Sequence, residues 1–99
     1  MTSKQRAYLI GLAMNIDPIL SIGKSTVTPE FTAAVAEALE ARELIKLNVL
    51  QNCFDDINEM AYTLAERTRS QVVQVIGRKI VLYKEGKDDK KKIVLPTKK

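Results

Sequence analysis

The sequence predicts a two-layer α/β (α+β) fold in which helices cover one face of a mixed four-stranded sheet. Three observations point to it. First, three segments place apolar residues at helical spacing: Tyr8, Leu9, Leu12, Ala13 and Ile16; Phe31, Val35, Ala38 and Leu39; and Ile57, Met60, Ala61, Leu64 and Ala65. Second, residues 44–50 alternate, with Ile45, Leu47 and Val49 on one side and Lys46 and Asn48 on the other, as in a sheet with one covered face. Third, two β-branched runs, Gln71–Ile76 and Lys79–Tyr83, are separated by Gly77-Arg78, which suits a type II′ hairpin. The element order is then helix, strand, helix, strand, helix, strand, strand. Right-handed crossovers make the first three strands parallel and the hairpin makes the fourth antiparallel, which fits a strand order of one, two, four, three.

Each element has a chemical reason to start and stop. Thr2-Ser3-Lys4-Gln5 is a capping box opening a helix over residues 3–14. Lys4 and Arg6 oppose the helix dipole there, a cost of a few tenths of a kcal/mol that either a bound phosphate or the solvation of their long side chains would offset. Asp17-Pro18 ends the helix, because the residue before proline is driven out of the α region. A short buried strand at residues 19–22 leads into Gly23-Lys24-Ser25-Thr26, and Thr28 and Pro29 then serve as N-cap and first residue of a helix over 29–41. The acids Glu30, Glu37 and Glu40 face water on that helix. A loop with a mobile lysine at a helix N-terminus is a natural phosphate seat.

That loop is not a nucleotide-hydrolase P-loop. The leading glycine of G-x-x-x-x-G-K-[ST] would fall at Pro18, and Ile19 to Ile22 between carries no glycine. The third helix opens at Phe54-Asp55-Asp56, with Asp55 as its cap and Asp56 complementing its dipole. With Glu59 these carboxylates form no convincing metal site, since no other ligand cluster accompanies them. Gly77-Arg78 puts Arg78 at an exposed tip beside Lys79. Residues 85–92 form a mixed-charge loop, and Ile93-Val94-Leu95-Pro96 is apolar enough to dock as a last short strand before Lys98 and Lys99.

Composition narrows the function. Ninety-nine residues fit one domain, 1–99, with a flexible basic tail from about residue 85. The lone cysteine, Cys53, suits a reducing compartment and a small apolar filling role. Histidine is absent, which removes the commonest general base and metal ligand. The run Tyr8 to Met14 is too short for a membrane span and lacks a cleavage site, so a soluble cytoplasmic protein is expected. The net charge of +4 is unevenly spread. Residues 28–66 hold eight acids and two bases, and the remainder holds fourteen bases and four acids. Such segregation points to a polyanionic partner, although Lys and Arg on a small domain also serve plain solubility.

Several stretches resemble one family. They are Thr2-Ser3-Lys4-Gln5-Arg6, Ile22-Gly23-Lys24, Leu39-Glu40-Ala41-Arg42-Glu43-Leu44-Ile45-Lys46, Gln74 through Tyr83, and Lys92-Ile93-Val94-Leu95-Pro96. Together they look like a bacterial single-domain CRM (chloroplast RNA splicing and ribosome maturation) protein of the YhbY type. The resemblance implies a fold similar to the C-terminal domain of translation initiation factor three. It also implies RNA binding and association with precursor large ribosomal subunits. In that family the loop after the first strand has a KH-like G-x-x-G form that clamps RNA backbone. Here Gly23 and Lys24 match the pattern, while Thr26 stands at the second glycine.

The expected function is therefore a non-catalytic, monomeric RNA-binding assembly factor for ribosomal RNA, with no cofactor, metal, membrane or small-molecule substrate. Its expected contacts are Lys4, Gln5, Arg6, Gly23, Lys24, Ser25, Thr26, Arg78 and Lys79. With few aromatics to stack on, recognition of RNA shape is expected over base-by-base reading. The alternative is a protein-binding adaptor using the acidic helix faces around Glu30, Glu37, Glu40 and Asp56. A nuclease is disfavoured for want of a histidine, a metal cluster or an activated nucleophile.

Overall fold

A computed structural model describes residues 2–24, 27–53 and 55–86. Its elements are α1 (Ser3–Ala13), β1 (Leu20–Ile22), α2 (Pro29–Arg42), β2 (Leu44–Val49), α3 (Ile57–Thr68), β3 (Gln71–Ile76) and β4 (Lys79–Tyr83), in the expected order. The sheet order is β1-β2-β4-β3, as expected. β1 pairs with β2 in parallel, and β4 is antiparallel to both β2 and β3. Ile76 pairs with Lys79 across the two-residue turn, where Gly77 takes φ +56 and Arg78 does not turn positive, as a type II′ turn requires.

Local chemistry sets the helix ends. At α1 the capping box forms in full: Gln5 N–H donates to Thr2 Oγ1 and Thr2 N–H donates to Gln5 Oε1, both at 3.1 Å. Thr28 Oγ1 accepts from Phe31 N–H at the start of α2. At α3 the cap is Asp56, which accepts from Glu59 N–H, and not Asp55 as expected from sequence. Asp56 wins because the chain enters the helix one residue later, at Ile57. α2 ends on Glu43, which holds a left-handed φ of +65. That strained backbone is pinned on three sides: its N–H donates to Leu39 O, its carbonyl accepts from Lys84 N–H, and its carboxylate accepts from Gly86 N–H.

The fold class is as expected, but the helices lie on both faces of the sheet and not on one alone. Ile22, Ile45, Leu47, Val49, Ile80 and Leu82 face α2 and α3, packing on Val35, Leu39, Met60, Ala61 and Leu64. Leu44, Val73, Val81 and Tyr83 face the other way and are covered by Leu9 and Ala13 of α1. The sheet is thus covered fully on one face and over about half of the other. The signal lay in β4, whose run Ile80-Val81-Leu82-Tyr83 is buried throughout, as a strand covered on both faces requires. Tyr8, expected in the core, is 43% exposed, because α1 turns Leu9 and Ala13 to the sheet instead. Cys53 is buried as expected, against Met60. The expected strand at Ile93 to Pro96 and the flexible tail from about residue 85 fall mostly outside the described residues.

Candidate nucleic-acid interface

Register carries the Gly-Lys loop and the hairpin to the same end of the sheet. Ile22 pairs with Val49, and Asn48 pairs with Lys79, so β1, β2 and the start of β4 all meet there. The segment after β2 closes over this end: Leu50 N–H donates to Ile22 O, and Cys53 N–H donates to Leu50 O. A Cβ at Gly23 would lie 3.5 Å from Leu50 Cδ1 and 3.7 Å from Asn52 Oδ1, which is ordinary contact. Neither space nor backbone angle demands glycine at this position. Lys24 is exposed at the mouth of the loop. Ser25 and Thr26, with the question of the second loop glycine, lie outside the described residues.

The start of α2, which follows the Gly-Lys loop in the chain, has few donors left among the described residues. Pro29 has no N–H, Phe31 N–H is taken by Thr28, and Glu30 sets a carboxylate in the first turn. A phosphate here would therefore depend on Lys24 more than on the α2 dipole.

Two expected RNA contacts hold the protein itself. Arg78, expected at an exposed tip, is half-buried and folds its guanidinium onto the segment after β2. Its Nε donates to Val49 O at 2.9 Å, and one terminal nitrogen donates to Leu50 O and to Cys53 O, the latter at 3.0 Å. Arg6 donates from one terminal nitrogen to Val72 O and Val73 O, both at 2.9 Å. These carbonyls sit where β3 is irregular, between Val72 and Gln74, so Arg6 stitches α1 to the disturbed strand. The fork of donors on arginine suits such multiple carbonyl capture.

The expected residues do not all converge. Gly23, Lys24, Arg78 and Lys79 share the hairpin end of the sheet. α1 runs towards that end, since Ile10, Ala13 and Met14 line a groove with Ile76 and Lys79. Lys4 and Gln5 begin the helix at the opposite end, with Lys4 about 15 Å behind Met14 along the axis. The sequence pointed to an open sheet face but named only Lys79 of its residues as a contact; there Lys79 Nζ donates to Asn48 Oδ1 at 2.6 Å, beside Lys46. The polar alternation of β2 was the signal for that face.

Among the described residues no group of three or more His, Cys, Asp or Glu could hold a metal ion. None of their helices is long and apolar enough to cross a membrane. The acidic residues Asp55, Asp56 and Glu59 line a shallow surface depression with Val27, Met60 and Thr63.

Residues 1–84 match the model of the CRS1 / YhbY (CRM) domain. The chain is 50% identical over 96 residues to a Bacillus subtilis protein named "Probable RNA-binding protein YqeI", covering 97% of this chain and 99% of the relative. It is 31% identical over 98 residues to an "RNA-binding protein" of Haemophilus influenzae, covering 99% of this chain and 97% of that one. The solution structure of a hypothetical protein from Staphylococcus aureus superposes with a TM-score of 0.81 at 53% identity, covering 97% of this chain and 99% of that one. With a family model spanning most of its length and relatives matched end to end, the chain belongs to the CRS1 / YhbY (CRM) domain family.

Proposed function

We propose that this protein binds structured RNA without catalysis and acts in the cytoplasm on ribosomal RNA during assembly of the large ribosomal subunit. The observation that carries the proposal is the placement of Lys24 and Lys79 at one end of the sheet in a chain matching the CRM model over residues 1–84. RNA-binding names on two end-to-end relatives support the partner class. Lys24 and the loop residues Gly23, Ser25 and Thr26 take backbone phosphate, and Lys79 extends the contact. Arg6 and Arg78 shape the surface by holding its loops. Lys4 and Gln5 form an outlying contact at the far end of α1.

Affinity then comes largely from counterion release and falls with salt in proportion to the phosphates neutralised. The test is crosslinking in cells followed by sequencing of the attached RNA, with sedimentation of the protein through a gradient of ribosomal particles. Enrichment of large-subunit ribosomal RNA and co-migration with precursor particles are expected. Crosslinks spread evenly over messenger and transfer RNA would overturn the assembly role. Recovery of a protein partner that survives nuclease treatment, with no RNA, would favour the adaptor built on Glu37 and Glu40.

A further inference from the structure

We infer that the uncovered half of the α1-side sheet face is a seat for one unstacked nucleotide of single-stranded RNA. This rests on the RNA-binding function proposed above and adds a second, chemically different contact to it. The face is built from pairing register. Ser21, Asn48, Lys79 and Ile76 lie in one row across the four strands, and Lys46, Val81 and Gln74 lie in the next row below. α1 covers the Leu44 and Tyr83 part of this face, and its C-terminal end, Ala13 and Met14, borders the row beside Ile76 and Lys79.

What remains is a groove of about 240 Å³ with an apolar floor and a basic rim. Its floor and walls are Ile10, Ala13, Val81 and Ile76, with Met14 at one edge, and Lys46 and Lys79 border it. Ile76 is 59% exposed and Met14 78% exposed, an unusual display of large apolar side chains beside two lysines. Lys79 donates one ammonium proton to Asn48 Oδ1, which orients it, and among the described residues its other two protons are open to another acceptor.

Charge and shape together favour a nucleotide. An apolar slot offers nothing to a phosphate, and two ammonium groups offer nothing to a purely apolar partner. A base against Ile76 and Met14 with its phosphate on Lys46 and Lys79 satisfies both. A duplex cannot enter this way, because its bases are stacked and paired, so the occupant is a loop, bulge or end. The row also continues along β1 from Ser21 to Gly23, about 7 Å further, so one strand can meet the groove and the Lys24 loop together.

The test compares a single-stranded 12-nucleotide RNA with the same sequence as a duplex, measured by fluorescence anisotropy over a salt series. Met14→Ser and Ile76→Ser lie on exposed side chains, and unchanged far-UV circular dichroism and melting verify their fold. The double variant is expected to weaken single-strand binding by about fivefold to tenfold while leaving duplex binding and the salt slope unchanged. Lys46→Gln is expected to lower the single-strand salt slope by about 0.7. Wild-type affinity of the double variant for the single strand overturns the seat, and if Lys24→Glu still weakens both RNAs the proposed function survives. Absence of wild-type binding to either RNA at low salt overturns both. Loss of binding to a Glu/Leu-rich peptide, with RNA binding intact, assigns the groove to a protein partner and overturns the nucleotide.

Discussion

Replacing Arg78 with lysine keeps the charge and removes the geometry, which separates a structural clamp from a phosphate contact. Arg78 satisfies three backbone carbonyls, those of Val49, Leu50 and Cys53. Charge-assisted hydrogen bonds contribute about 1.5–3 kcal/mol each, but the bond to Leu50 is exposed and the three are not additive. A lysine ammonium is a point donor that reaches one carbonyl at most, so at least one part-buried carbonyl loses its partner. The net loss for Arg78→Lys is about 2 kcal/mol, and for Arg78→Ala about 3 kcal/mol. For a chain of this size a 2 kcal/mol loss lowers the melting temperature by roughly 8–16 °C. Thermal and urea unfolding measure it, with the urea slope unchanged. If Arg78→Lys unfolds within 0.5 kcal/mol of wild type yet loses RNA affinity, the clamp is wrong and the guanidinium belongs to the ligand.

Arg6→Met should cost about 1 kcal/mol in urea unfolding, since it removes two carbonyl contacts of which one is exposed. Gly23→Ala should leave the melting temperature unchanged, because the added Cβ meets only ordinary contacts, while RNA affinity falls if the backbone must approach phosphate closely. Among the described residues Tyr83 buries its hydroxyl without a hydrogen-bond partner, so Tyr83→Phe should be neutral or stabilising by up to about 1 kcal/mol at pH 7. Burial first, then the carboxylates of Glu43 and Glu85, push the Tyr83 phenol up to about 12 from an ordinary value of 10. The folded state therefore holds its proton where the unfolded chain has lost it. Stability from this group is complete below pH 10 and falls between pH 10 and about 12. Wild type should lose stability relative to Tyr83→Phe across that window in alkaline melts, and parallel curves would refute the assignment.

The order and pairing of elements were legible because their signals are local. A capping box, a Thr-Pro helix start and a Gly-Arg hairpin each depend on residues within four positions of one another. The long-range contacts were not. Arg78 finds its carbonyls 25 to 29 residues away, and Arg6 reaches 66 and 67 residues along the chain. Composition marks both as basic surface, and only folding shows backbone oxygen beside them. The side chosen by α1 was half legible: β2 alternation spoke for an open face, and the buried run of β4 spoke for cover on both. Both are true, because α1 covers the Leu44 and Tyr83 end and leaves the Asn48 and Lys79 end open. At the loop, Lys24 was legible as an exposed cation, whereas the shortage of donors at the start of α2 followed from Thr28, Pro29 and Glu30 taken together.

The central claim is that RNA meets the hairpin end of the sheet and its uncovered face, and avoids the α2–α3 side. Backbone amide chemical shifts, followed as RNA is titrated into isotope-labelled protein, test this residue by residue. Shifts are expected at Gly23, Lys24, Asn48, Ile76 and Lys79, and none at Glu37, Glu40 or Tyr62. Shifts concentrated on those last three, with the Gly-Lys loop silent, would contradict the claim.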